Sequence, residues 1–259
     1  MGIQNLLGTG EIKSGSNTKL RKSKARRMVI LLGRFRSLEN VTVLDLGAGT
    51  GLIAAELQRL LNANSEVTAA DICDRMIDKS FPYLEVVDNQ VPLPDHSQDI
   101  VISNHVVEHV GDESAQRDYL SECRRVLRPN GILYLAIPNR WTIFEPHYKT
   151  PFLSWPPEKY RDRFLEFLDR RKLVRYKPNL PEYKQGYPLR PMSRRQTAEM
   201  LKDTGFIAKD VTGLSLQLVL VEDLGMAKLP ALLVAPILNL IFRFIIPTII
   251  FIAYPDASD

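Results

Sequence analysis

Along the middle of the chain, short apolar runs alternate with amphipathic stretches in units of about thirty residues. Residues 41–46 (VTVLDL) are β-branched and apolar and stop at Gly47, a pattern that predicts a strand. Residues 52–61 place apolar side chains at helical spacing. Residues 66–71 (EVTAAD) predict a second strand, 74–80 a helix, 84–87 a third strand and 99–103 (DIVIS) a fourth. Residues 113–127 predict a helix, with Pro129-Asn130-Gly131 as stop and turn, and 132–137 (ILYLAI) a fifth strand. Residues 139–191 break this rhythm. They are rich in proline, aromatics and mixed charge, carry no clear strand, and suggest an inserted cap. Helical spacing returns over 193–204, with Ser193 as N-cap and Gly205 just past the end. Residues 207–212 and 214–221 look like strand material with a bend at Gly213. A helix over 229–245 and a last strand over 246–253 complete the chain.

Strands alternating with helices imply an α/β fold, a mostly parallel sheet covered on both faces. Right-handed crossovers bring the C-terminal ends of the parallel strands to one edge, where ligands bind in such sheets. Gly47, Asp71, Asp88 and Asn104 all lie at or just after strand ends, so they are expected to converge there. The organisation divides into a basic helical segment (1–40), the α/β core (41–138), the cap (139–192) and a C-terminal part (193–259).

Composition narrows the possibilities only a little. The 259 residues, 45% of them hydrophobic, suffice for a sizeable core. A net charge of +4 is too mild to imply nucleic acid. The two cysteines, Cys73 and Cys123, have no metal-like spacing and suggest a reducing, cytoplasmic setting. The first fifteen residues lack an apolar core of signal-peptide length. Charge is uneven, however: residues 19–36 are strongly basic and 229–254 nearly all apolar.

The chemistry concentrates at VLDLGAGTG, residues 43–51. Gly47, Gly49 and Gly51 let the backbone turn beneath a ligand, with N–H groups and a helix N-terminus aimed at it. The spacing departs from the dinucleotide pattern G-x-G-x-x-G. Asp45 stands two residues before the first glycine, where a carboxylate repels pyrophosphate and accepts from an ammonium group. Asp71, ending the next strand, suits a ribose diol, and Asp88, after the third strand, an exocyclic amine of adenine. An amino-acid end, a ribose and an adenine form one ligand in that order. VLDLGAGTG, AADICDRMID, EVVDNQVPLPDHSQDIVISNHVVEHV and ECRRVLRPNGILYLAIPN resemble, in succession, the motifs of class I S-adenosylmethionine-dependent methyltransferases of the small-molecule type. The resemblance implies a Rossmann-like, seven-stranded sheet with an antiparallel last strand, and S-adenosylmethionine as cofactor. It places Asp45, Gly47, Ala48, Gly49 and Gly51 along the methionine part, Asp71 and Ile72 at the ribose and adenine, Asp88 at the adenine edge, and Asn104 and His105 below the sulfonium. His105 and His109 flank Glu108 like a metal pair, but a third ligand is missing, so no metal is expected.

For the acceptor, Asn104-His105-Val106 lacks the polar-Pro-Pro-aromatic run of enzymes that methylate nucleobases or glutamine amides. Glu145, His147 and Tyr148, set among Trp141, Phe144, Phe152 and Trp155, are the candidates for deprotonating it; the alternative is that these residues form the cap's own small core. The cap is similar to methyltransferases acting on sugars or lipid-linked glycans, which implies a small or lipid-linked acceptor, with an oxygen of a glycan or quinone-like molecule as nucleophile. A cofactor-binding scaffold without catalysis, or a protein or RNA methyltransferase, is the alternative. Three prolines, Asn239 and Arg243 argue against 229–254 as a membrane span. Peripheral contact at the inner membrane face through 229–245 and 19–36 is the expectation, beside a buried or dimer-forming helix.

Overall fold

The computed structural model describes residues 14–145, 148, 150–174, 189–242 and 246–256. The core is a seven-stranded sheet of β1 (Thr42–Leu46), β2 (Glu66–Asp71), β3 (Tyr83–Glu85), β4 (Gln98–Asn104), β5 (Leu127–Pro138), β8 (Phe206–Asp210) and β9 (Thr248–Pro255) in the order β3-β2-β1-β4-β5-β9-β8. The strands β3, β2, β1, β4 and β5 pair in parallel, and β9 runs antiparallel to both its neighbours. Strand order reverses at β1, between β2 and β4, so a crevice opens beyond the end of β1.

Alternate residues of each central strand serve opposite faces. Val43, Ile100, Ile102, Ile132, Tyr134, Ile250 and Ile252 pack under α1 (Ser14–Leu32), α2 (Leu52–Leu60) and α6 (Thr212–Leu218). Leu44, Leu46, Val101, Leu133, Leu135 and Phe251 pack under α3 (Glu113–Val126) and α5 (Arg194–Asp203). Side chains cap these helices as their sequences suggest. Asp112 Oδ1 accepts from Ala115 N at 3.0 Å, and Ser193 forms a reciprocal capping box with Gln196.

Four local expectations fail for physical reasons. Residues 74–80 form no helix: Asp74 and Asp78 side chains accept from the backbone N–H groups of Met76 and Ser80, and these local bonds compete with helical ones. The third strand is Tyr83–Glu85, shorter and earlier than 84–87. Pro129–Gly131 do not turn the chain out of the sheet; they are taken up as a bulge in β5, which already pairs at Leu127 with Gln98 and resumes at Ile132 with Ile100. Residues 214–221 are helical, as α6 followed by a π-helical turn over Val219–Asp223. The alternation of leucines at 214, 216, 218 and 220 imitates a strand. Yet Val211, Leu214 and Leu218 lie along one helix face against the core, and Asp210 Oδ1 stops β8 by accepting from Thr212 N at 2.9 Å.

The cap contains a two-residue ladder, β6 (Phe144–Glu145) with β7 (Thr150–Pro151), and the helix α4 (Glu158–Arg170). Trp155 meets Trp141 and Phe152 edge-on, at ring centroids 6.0 and 4.9 Å apart. The apolar helix α7 (Lys228–Phe242) packs Ala231 and Ala235 against Leu220. Among the described residues, no helix is long and apolar enough to cross a membrane.

Candidate functional site

Strand β1 ends on Asp45 and Leu46, and the chain then bends back under the sheet edge. Gly47 N–H and Ala48 N–H both donate to Ala70 O of β2, at 2.7 and 3.1 Å. Gly47 has φ +78°, and a Cβ there would lie 2.4 Å from Val106 Cγ2, so only glycine lets the bend meet the segment after β4. Gly49 is different. Its φ is +57°, but a Cβ would meet nothing within 4 Å, so the backbone there has an open side. Gly51 is the N-cap of α2, whose first turn faces the same crevice.

Asp45 is 2% exposed, and its Oδ2 has no hydrogen-bond partner. Burial, reinforced by the nearby Asp71 carboxylate, pushes its carboxyl up to about 7, against the pull of Arg21 and Lys24 from α1. Lys24 moves the opposite way. Burial and the neighbouring Arg21 and Arg27 hold its ammonium down to about 8, while Glu108 and Asp45 oppose them. The buried stripe Ala25, Met28, Leu31 and Leu32 seats α1 on the sheet and thereby brings Arg21 and Lys24 to this edge.

At the end of β2, Asp71 accepts from Gly49 N–H (Oδ2, 2.7 Å) and from Ile72 N–H (Oδ1, 2.8 Å), and Arg75 stands 3.6 Å from Oδ1. Tyr83 Oη donates to the Asp71 carbonyl at 3.0 Å. Asp71 thus links the glycine bend to β2. Ile72 and Val87 leave large aliphatic side chains exposed beside it. Asp88 (φ +50°) and Asn89 (φ +62°) form an exposed turn bridged by Val87 and Gln90.

Asn104 ends β4 with a buried Oδ1 that lacks a partner. His105 follows with φ +58°, held there by donation of its N–H to Ala136 O at 2.8 Å. The strand ends and the bends after them place Asp45, Gly47, Ala48, Gly49, Gly51, Asp71, Ile72, Asn104 and His105 along one edge of the sheet; Asp88 sits on the exposed turn past β3. The cap candidates are arranged otherwise. Glu145 is buried and accepts from Tyr148 N–H at 2.6 Å, and the Tyr148 ring is packed with Leu153, Leu168 and Leu189. Tyr148 thus belongs to the cap's own core, with Glu145 bonded to its backbone. His147 lies outside the described residues. Lys24 is the site residue that sequence reasoning missed; its signal was its place beside the stripe at 25, 28, 31 and 32. Among the described residues, no group of three or more His, Cys, Asp or Glu is placed to hold a metal.

A family model described as a methyltransferase domain matches residues 44–135. A probable S-adenosylmethionine-dependent methyltransferase of Mycolicibacterium smegmatis is 37% identical over 117 residues, 42% of each chain. A ubiquinone biosynthesis O-methyltransferase of Rhizobium rhizogenes is 31% identical over 115 residues, 40% of this chain and 44% of that protein. The chain thus spans less than half the length of these curated relatives. A solved structure of an S-adenosylmethionine-dependent methyltransferase from Archaeoglobus fulgidus aligns over 92% of this chain and 94% of its own, at a TM-score of 0.51 and 18% identity, which shows a shared fold. The motifs, the strand order and these matches agree: residues 44–135 are similar to a methyltransferase domain, and the sheet around them has the fold of S-adenosylmethionine-dependent methyltransferases.

Proposed function

We propose that this protein transfers a methyl group from S-adenosylmethionine to an oxygen of a small or lipid-linked acceptor, a glycan or quinone-like molecule. The observation that carries the cofactor half is the Asp45 carboxyl, buried beside an open glycine backbone with one oxygen unpartnered. A buried acid with an unpartnered oxygen is costly until a donor meets it, and the amino-acid end of the cofactor supplies an ammonium. Asp71 would hold the ribose hydroxyls, Ile72 would cover an adenine face, and Asn104 Oδ1 would take a donor of the methionine part. The cofactor, when bound, supplies an electrophilic methyl on a sulfonium. The protein's share is to align the acceptor with that methyl and exclude water, the main source of rate in such a displacement.

Oxygen as acceptor atom is supported by the matched relative named as an O-methyltransferase of ubiquinone biosynthesis. The lipid-linked reading is supported by α7, where Leu229, Leu232, Leu233, Ile237 and Leu240 are each more than half exposed along one side of the helix. An apolar face of that size is unusual on a solvated surface. Exposed Lys19, Lys22 and Arg26 on α1 add charge suited to anionic headgroups. The test is incubation of the protein with methyl-labelled S-adenosylmethionine and lipid and polar cell extracts, followed by mass spectrometry. A labelled product whose methyl sits on oxygen supports the proposal; label on nitrogen or carbon only, or no labelled product beside good cofactor binding, refutes it. Flotation with phosphatidylglycerol vesicles tests the membrane contact. Wild type is expected to float and Leu233→Glu/Ile237→Glu to stay below. Equal behaviour of the two refutes a role for α7.

A further inference from the structure

Glu108 is 1% exposed, and no hydrogen bond of close, ordinary geometry reaches either of its carboxylate oxygens. It sits in the 3-10 turn Val107–His109, directly behind the edge where β4 ends. That turn is firmly built. Gln116 Nε2 donates to Val107 O at 3.0 Å, Arg190 N–H donates to Glu108 O at 2.9 Å, and Val106 seals the turn against Gly47. The carboxylate has two imidazoles within ion-pair reach: His105 Nδ1 at 3.4 Å and His109 Nε2 at 3.9 Å. Burial acts to raise the Glu108 carboxyl, yet His105 and His109 outweigh it and hold the group below the usual glutamate range. The Lys24 ammonium of α1 and the Tyr119 phenol of α3 both feel the charge of the same carboxylate.

His105 is the member of this cluster whose second ring nitrogen meets the edge of the sheet. Its imidazole is about a third exposed, and its Nε2 points along the sheet edge to Thr248 Oγ1, 3.4 Å away at the start of β9. The backbone accepts a left-handed conformation to put it there, at a cost on the order of 1 kcal/mol or more. A buried acid on Nδ1 and a polar, accessible Nε2 are the arrangement in which a histidine is held in one tautomer and its cation is stabilised.

We infer that His105 is the general base for the acceptor hydroxyl and that Glu108 is its positioning residue. This rests on the methyl-transfer reading above. The acceptor O–H passes its proton to His105 Nε2 while the oxygen lone pair forms the new C–O bond. The C–S bond breaks in the same step, its electron pair staying on sulfur, and the imidazolium later returns the proton to solvent. Glu108 keeps the proton on Nδ1 throughout and offsets the positive charge that develops on the ring.

The test has two arms. In the first, imidazole NMR follows the four histidines with pH, the His105 resonance being identified by its loss in His105→Gln. The expected result is a His105 midpoint above that of an unperturbed histidine, which falls by at least one pH unit in Glu108→Gln. In the second, methyl-labelled S-adenosylmethionine is incubated with a lipid extract. His105→Gln is expected to lower kcat by about 10²-fold or more when wild type and variant are each compared at saturating cofactor. Glu108→Gln is expected to move the acidic limb of the pH–rate profile, and Glu108→Asp to restore it in part. Transfer kept in His105→Gln but lost in His147→Ala overturns the inference, as does a His105 midpoint that ignores Glu108→Gln. If wild type itself transfers nothing, the methyl-transfer reading fails, and the NMR arm still decides the His105–Glu108 pair.

Discussion

Replacing Asp45 with asparagine keeps the volume and removes the charge, so binding and folding should respond in opposite directions. In the wild-type protein the carboxyl titrates at about 7 because burial and Asp71 disfavour its ionised form. Binding an ammonium requires that ionised form. Below pH 7 a proton must therefore leave when the cofactor binds, and the affinity should fall about tenfold for each pH unit. Between pH 7.5 and pH 6 this amounts to roughly a tenfold weakening. Lys24, held at about 8, stays charged over that window and adds little slope of its own. In Asp45→Asn the slope should flatten, and the affinity at pH 7.5 should drop by the strength of a hydrogen bond to a charged group, about 1.5–3 kcal/mol, or roughly 10- to 150-fold. Folding runs the other way. A carboxyl whose folded-state titration point is raised favours the native protein fully below its unfolded value of 3.8, and that advantage is lost as pH rises through about 7. Above 7 the buried charge then costs on the order of 4 kcal/mol. Asp45→Asn should thus melt several degrees higher at pH 7.5 and close to wild type at pH 4. Isothermal titration calorimetry in buffers of different ionisation enthalpy, with thermal melts beside it, reads all of these. An affinity flat from pH 6 to 7.5, or an asparagine variant that binds like wild type, would refute the reasoning.

Two further predictions follow from the same edge and its surroundings. Gly47→Ala should destabilise far more than Gly49→Ala. The first drives a methyl into Val106 at 2.4 Å, while the second meets open space and bears only the left-handed backbone cost, about 1–2 kcal/mol; denaturant midpoints that reverse this order would contradict the described bend. Cys123 is fully buried, and burial pushes its thiol well above the usual range, whereas Cys73 is partly exposed. An aromatic disulfide reagent should titrate one thiol per chain in the native protein and two in denaturant, and a Cys73→Ser variant should leave none in the native state.

The central strands β1, β2 and β4 were legible because each is a short, mostly apolar run ended by glycine, aspartate or asparagine, and parallel burial on both faces leaves that imprint. The same imprint points to the edge proposed to hold the cofactor, since Asp45, Asp71 and Asn104 are polar residues at or next to the ends of apolar strands. Where residues had a local alternative, the reading failed. Asp74 and Asp78 satisfy nearby N–H groups with their own side chains, and nothing in apolar spacing reports that. The leucines of 214–220 carry two periods at once, and packing against α7 decides for the helix. Gly213 shows how: a Cβ there would sit 3.2 Å from Asn239 of α7, so the two helices lie close. Lys24 was hidden for another reason. It comes from a helix twenty residues before β1, and only the docking of Met28, Leu31 and Leu32 on the sheet carries it to Asp45 and Glu108. Tyr148 illustrates the converse, in that a reactive side chain within an aromatic segment is packed into the core of the segment itself.

Equilibrium dialysis of the full chain against labelled S-adenosylmethionine probes the edge most directly. Saturable binding of one molecule per chain is expected, displaced by S-adenosylhomocysteine, unaffected by adenosine triphosphate, and lost in Asp71→Ala although that variant still melts cooperatively. Absence of saturable binding to the folded wild-type protein, or equal binding by Asp71→Ala, would contradict the assignment of this crevice to the cofactor.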